Sequence, residues 1–203
     1  MPTARVGLGV GVVSGVLYAV GGYAQHNLPT LEAYDPATNR WSTKASKPTP
    51  GSVAVGVVNG ILYAVGGDTA STPASVCGCV SILETYDPTT DRWTTKAPMP
   101  TRRTGPGVGV VNGILYAVSG WNGGGVSAAP AYVLEAYDPA TNTWTTKRPS
   151  WGATGMGVGV ANGALYVVGG WSGGEFGRIL SALRAYDPLT DTWPSTPWWT
   201  ITP

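Results

Sequence analysis

Short apolar runs, each bounded by turn residues, fill the chain from end to end. Val53 to Val58 is a Gly/Val alternation that stops at Asn59-Gly60, and Ile61 to Val65 follows and stops at Gly66-Gly67. Runs this short, rich in β-branched and aromatic residues, predict strands, and a two-residue Asn-Gly between two of them predicts a tight hairpin. A third strand is expected at Ile82 to Tyr86. The turn Asp87-Pro88-Thr89-Thr90-Asp91 then reverses the chain, because Pro sets φ and Asp bonds its own backbone. A fourth strand starts at Trp93, and helix signals are absent.

The same order of landmarks recurs four times. Tyr-Asp-Pro begins at Tyr34, Tyr86, Tyr137 and Tyr186, and Trp41, Trp93, Trp144 and Trp193 follow at one constant offset. Upstream of each lies Leu-Tyr-(Ala/Val)-Val and then Gly21-Gly22, Gly66-Gly67, Ser119-Gly120 or Gly169-Gly170. The Asn-Gly hairpin signal returns at Asn112-Gly113 and Asn162-Gly163. Arg5 with the apolar run after it imitates a short signal peptide, but Gly9–Val20 recurs as Gly107–Val118 deep inside the chain. Met1 to Gly22 is therefore expected to be folded repeat.

A diglycine after an apolar strand, then Tyr, then Trp resembles the kelch repeat, whose period is about fifty residues. The resemblance covers essentially all of the chain. Its departures are local: Ser119 replaces a Gly, and Arg184 stands where Glu32, Glu84 and Glu135 stand in the other copies. It implies an all-β fold, a β-propeller of four kelch-like four-stranded blades, either a closed ring or an open partial propeller. The whole chain, 1–203, is then one domain with blades at about 4–48, 49–101, 102–150 and 151–203. One small sheet cannot bury both faces alone, so the copies must stack, and the Gly-rich first strand belongs nearest the axis. If the ring does not close, self-association is expected. The recurring Tyr and Trp are expected between blades.

Labelling the four strands of a copy a to d, the a–b and c–d turns share one face and the b–c and d–a loops the other. The b–c loops vary between copies, and variation confined to one face of a repeat protein marks its binding face, here the mouth. Sorted this way, Arg5, Lys47, Arg102, Arg103, Arg148 and Arg178 lie at the mouth against Asp68 and Glu175. The opposite turns collect Asp35, Asp87, Asp91, Asp138, Asp187 and Asp191 against Arg40 and Arg92. The net charge of +1 conceals this split. Aromatic residues join the mouth: Tyr23, Trp121 and Trp171 follow glycine pairs, and Trp151 sits in a d–a loop. Loop Trp beside Gly and Asn or Ser can stack on a sugar or anchor a peptide. The family resemblance adds that residues leading into strand a bind peptides, and Arg5 and Arg103 match that place while Pro50 and Ala153 occupy it in the other two copies. The expected ligand-binding residues are thus Arg5, Tyr23, Arg102, Arg103, Trp121, Trp151, Trp171 and Arg178.

Chemistry narrows the function. Copper oxidation on such a fold needs several imidazoles, and His26 is the one histidine of the chain. Cys77-Gly78-Cys79 has no third or fourth metal ligand near it in sequence, and no other copy has a counterpart. A net charge so near zero predicts neither a nucleic-acid nor a membrane partner. The expectation is a non-catalytic binding module without cofactor or metal, presenting its b–c and d–a loops to a protein or glycan, an acidic one by its rim. The competing expectation is a carbohydrate-active catalytic propeller that turns over an acidic sugar through Arg and Glu175.

Overall fold

The computed structural model describes residues 1–69, 77–123, 130–149, 152–173 and 177–194. The strands run in chain order as β1 Gly9–Val13, β2 Val16–Val20, β3 Leu31–Asp35 and β4 Arg40–Lys44, then β5 Ser52–Val58, β6 Ile61–Asp68, β7 Leu83–Asp87 and β8 Arg92–Thr95. The third copy holds β9 Gly107–Val111, β10 Ile114–Val118, β11 Leu134–Asp138 and β12 Thr143–Lys147, and the fourth holds β13 Gly157–Ala161, β14 Ala164–Val168 and β15 Leu183–Tyr186. Each copy is one antiparallel meander with neighbours in sequence order. Among the described residues three sheets have four strands, and the fourth has three plus an isolated Asp187↔Thr192 bridge where its outer strand would start. The four-bladed β-propeller expected from the repeat is the fold.

The tight a–b hairpins form as the dipeptides predict. Asn59 and Gly60 have φ of 49° and 77°, and the Asn-Gly pairs of the third and fourth copies match them. Two successive positive φ values suit the right-handed twist of the flanking strands, and Asn and Gly tolerate them. Strand b of the second copy runs further than expected. It continues through Gly66-Gly67 so that Asp68 pairs with Ser52, past a register shift between Ser52 and Ala54.

The innermost strands β1, β5, β9 and β13 pack successively against one another. Glycine is required there by close approach: a Cβ on Gly9 would stand 2.3 Å from Val55 Cγ2, and one on Gly107 2.4 Å from Val158 Cγ2. Each copy therefore offers a glycine cleft, and the next copy fills it with valines. The first such seam buries Val13, Val20 and Leu31 of one copy against Leu62 and Tyr86 of the next, and the seam is repeated twice more along the chain.

Aromatic residues and the c–d turn bind neighbouring blades together at the perimeter. Tyr86 lies 5.9 Å from Tyr18 of the preceding copy and 5.2 Å from its own Trp93. The Trp93 Nε1–H donates to the Ala45 carbonyl of the preceding copy at 2.8 Å. Asp91, at the left-handed φ of 53°, accepts from both the Ala45 N–H and the Tyr86 hydroxyl. Asn142 and Asp191 do the same for Ala97 with Tyr137 and for Arg148 with Tyr186. Buried, and donating to Asp91 and Asp191, the Tyr86 and Tyr186 hydroxyls are pushed well above the ordinary phenol range, chiefly by desolvation.

Candidate functional site

The residue after each glycine pair is held by the segment leading into strand a of its own copy. Trp121 and Thr104 exchange N–H···O bonds of 2.7 and 2.8 Å, and Trp171 and Thr154 exchange bonds of 3.0 and 2.9 Å. Tyr23 and Val6 form the corresponding pair in the first copy. With its backbone clamped this way, each indole is placed by the blade rather than by its loop. The Trp121 and Trp171 rings come from adjacent blades and stand 6.3 Å apart at 22°, close to parallel. Together with Thr104, Gly105 and Thr154 they line a cavity of about 390 Å³. That volume lies within the range of small-ligand and anchor-residue pockets.

Support for the ring pair comes from both sides. Trp171 also bridges Ile179, and Gly177 permits the close passage of its loop, since a Cβ there would stand 2.5 Å from Trp171 Nε1. Ser119, the serine that replaces a repeat glycine, is fully buried at φ 49°. Its Oγ accepts from the Ala153 N–H and lies 2.7 Å from the Ala131 carbonyl, tying the third blade to the lead-in of the fourth. Cys77 and Cys79 form a disulfide, and Cys79 Sγ lies 3.2 Å from the Trp121 carbonyl. A cysteine hairpin of the second copy thus abuts the base of the third copy's Trp, a contact across copies that spacing along the chain could not reveal.

Two of the expected ligand contacts are not at the surface. Arg103 is 0% exposed and Arg5 is 9% exposed. Arg5 pairs with Glu32 at 3.1 Å and donates to the Ala19 carbonyl. Arg103 pairs with Glu135 and donates to the Thr101 and Ala117 carbonyls. Lys47, also counted at the mouth, pairs with Glu84 at 2.9 Å and is buried. Burial pushes the Lys47 ammonium and the Arg103 guanidinium below their ordinary values, with the paired glutamate opposing. Thr3, Thr49 and Thr101 complete the motif, each hydroxyl donating to its glutamate at 2.7 Å. The physical reason for the correction is that an extended lead-in segment aims its cation inward, at the glutamate of strand c, which burial would otherwise leave unpaired. A signal was present in the sequence: the fourth copy replaces the arginine by Ala153 and the glutamate by Arg184 together.

The basic rim shrinks accordingly. Arg102 is exposed two residues before Thr104, and Arg178 is exposed on the hairpin of Trp171, its N–H donating to Ser172 Oγ at 2.9 Å. The Arg148 backbone belongs instead to the c–d clasp of Asp191. Tyr23 sits in the first copy and does not line the cavity. Trp151 and Glu175 lie outside the described residues. Of the expected site, the structure brings together Trp121 and Trp171, with Arg178 on the same hairpin as Trp171 and Arg102 in the lead-in to Thr104.

Comparison with known proteins agrees with this architecture. The Kelch motif matches residues 4–48, 51–100, 102–149 and 152–193. Kelch-like ECH-associated protein 1A of Danio rerio is 40% identical over 107 residues, covering 52% of this chain and 17% of that protein. Kelch-like protein 23 of Homo sapiens is 28% identical over 160 residues, covering 71% of this chain and 25% of that protein. The chain thus matches a quarter or less of the length of these relatives. The solved structure of YjhT superposes with a TM-score of 0.81 at 18% identity, covering 98% of this chain and 68% of that one, a likeness of fold.

Proposed function

Because the chain belongs to the kelch-repeat family, we propose that it is a β-propeller interaction module that engages a protein partner at the mouth, with the Trp121–Trp171 pair as anchor. The observation that supports this most is the near-parallel ring pair 6.3 Å apart over an apolar cavity. Rigid, pre-placed indoles are the residues that most often carry binding energy at interfaces. The five lining residues are two indoles, two threonines and a glycine, groups that hold a ligand and do not transfer protons at neutral pH. The proposal is therefore one of binding.

In its finer form the ligand is acidic. Arg102, two residues before Thr104, and Arg178, on the hairpin of Trp171, are exposed cations, and a guanidinium fork grips a carboxylate with two hydrogen bonds. An acidic glycan is the second reading, favoured by the same ring pair, since near-parallel indoles also stack on sugar faces. If the four blades do not close into a ring, the proposal further includes association of the chain with itself.

The test is an array of acidic peptides and acidic glycans probed with the wild type, Trp171→Ala and Arg102→Glu/Arg178→Glu at two ionic strengths. Loss of the central anchor should cost about 2 kcal/mol or more in affinity. The charge reversal should weaken binding mainly at low salt, where exposed charges are least screened. Binding that survives both changes would refute the site. Peptides and glycans separate the two readings directly.

A further inference from the structure

Among the described residues, three b–c hairpins close alike. The residue after the glycine pair bridges one further along its own loop: Tyr23 meets Asn27, Asp68 meets Cys79 and Trp171 meets Ile179. Only the second copy has cysteines there, and Cys79 is bonded to Cys77. Gly78 between them is pinned as well, its carbonyl accepting from the Thr69 N–H and the Thr69 hydroxyl, each at 3.1 Å. The two cysteines meet different surroundings. Cys79 is 6% exposed, with its Sγ 3.2 Å from the Trp121 carbonyl of the next copy. Cys77 is half-buried beside Gly123, where a Cβ would stand 3.6 Å from its own. Both cysteines thus lean on the Trp121 segment.

The bond does little for the fold. Stabilisation by a disulfide grows with the loop it closes, and this one spans a sequence separation of 2. A disulfide that the fold does not need, and that reaches solvent at one end, is of the labile kind that exchanges with thiols. Its two redox states differ at the atom that touches the mouth. In the disulfide, Cys79 Sγ has no proton and faces the lone pairs of the Trp121 oxygen. In the dithiol, the same sulfur carries a proton and donates it to that oxygen. The carbonyl has room for this donor, because it accepts the Thr104 N–H with one lone pair and keeps a second. The Trp121–Thr104 pair is the backbone clamp that places the indole.

We propose that Cys77–Cys79 is a dithiol–disulfide exchange site, with a dithiol as its reductant, and that its redox state sets how firmly Trp121 is clamped. A thiolate of the reductant attacks Cys77 Sγ, forming a mixed disulfide as the Cys77–Cys79 bond breaks. The electron pair leaves on Cys79 Sγ, which takes up a proton, since a thiolate held away from water against a carbonyl oxygen is disfavoured. The second thiolate of the reductant then attacks the reductant's own sulfur in the mixed disulfide and releases Cys77, which is protonated from water. The chain gains two electrons and two protons, and the reductant leaves as a disulfide. The added S–H···O bond makes the dithiol the more tightly clamped form. An effect on a ligand rests on the reading of Trp121 and Trp171 as anchor; the exchange and the response of Trp121 rest on the sulfur contact alone.

The test equilibrates the wild type over ratios of reduced to oxidised dithiothreitol without denaturant and counts free thiols by mass after alkylation. Two thiols should appear together while the far-UV circular dichroism stays unchanged. Hydrogen exchange of the Thr104 and Trp121 amides should slow about two- to five-fold on reduction, the worth of a weak S–H donor. The Val6 and Tyr23 amides, the corresponding pair of the first copy, should not respond. Cys77→Ser leaves Cys79 a permanent thiol and should show the slow exchange with or without reductant. Cys77→Ser with Cys79→Ala should show the fast exchange under both conditions. A bond that opens only when the chain unfolds would overturn the proposal, and so would full reduction with exchange unchanged at Thr104 and Trp121. On an array of acidic peptides the reduced wild type should bind more tightly than the oxidised one. Redox-dependent exchange at Trp121 with no peptide bound would support the exchange site and count against the anchor.

Discussion

Arg103 and Glu135 are among the most completely buried side chains of the molecule, and each is there because of the other. A buried pair contributes little against a well-packed apolar replacement, but removal of one partner strands a charge away from water. Arg103→Ala should therefore cost about 3–5 kcal/mol in urea unfolding. Arg103→Ala with Glu135→Ala should recover part of that loss, because the fourth copy folds with Ala153 and without the glutamate. Equal destabilisation by the single and double variants would show that Arg103 acts by packing and carbonyl bonds alone. The same residue cannot serve as a rim contact, so ligand binding by stable variants should track Trp171 and not Arg103.

At the scale of the element, the c–d turn joins blades as well as reversing the chain. Asp91 is held below the ordinary aspartate value first by the Ala45 N–H and then by the Tyr86 hydroxyl. Asp35, Asp87 and Asp187 are lowered by N–H and hydroxyl donors of their own turns, and Asp191 by the Arg148 N–H and then the Tyr186 hydroxyl. A carboxylate whose folded value lies below its unfolded value of about 3.9 stabilises fully above that pH and loses the contribution as pH falls through the folded value. Stability should thus decline below about pH 4. Asp91→Asn keeps the acceptor oxygen, as Asn142 shows in the third copy, but removes one titration. Its deficit relative to the wild type, measured by thermal unfolding, should shrink or reverse between neutral pH and pH 3. Parallel curves would deny Asp91 this role.

The cysteine hairpin is a different kind of element. Its disulfide spans a sequence separation of 2, so it closes almost no loop and restrains the unfolded chain very little. Cys77→Ser with Cys79→Ser should leave the melting temperature within a few degrees, and a large drop would show that its contact with Trp121 supports the fold.

Across the whole molecule, stability is distributed between neighbours, as in other stacked repeats. The first three copies are covered on their cleft sides, while on the fourth Val168 and Leu183 are 50% and 44% exposed. It also lacks the buried ion pair of the others. Backbone amides of β14 should therefore exchange with deuterium faster than those of β10 under conditions where the chain is dilute. Equal protection of the two strands at low concentration would mean that the exposed flank carries no penalty.

Local pattern alone determined the four-fold repeat, the strand order, the Asn-Gly hairpins and the Asp-Pro turns, because each depends on residues a few positions apart. The resemblance to the kelch repeat followed from the same landmarks, and the Trp121 and Trp171 positions could be picked out by their place after a glycine pair. What only the tertiary structure decided is which charges face water and which faces are covered. Arg5, Lys47 and Arg103 meet glutamates about thirty residues away in sequence, and an extended segment can turn a side chain to either side at no local cost. The pairing of the two indoles and the bareness of Val12 and Gly159 depend likewise on how one blade sits beside the next. Four nearly identical strings of residues acquire different exposures because each copy is defined by its neighbours.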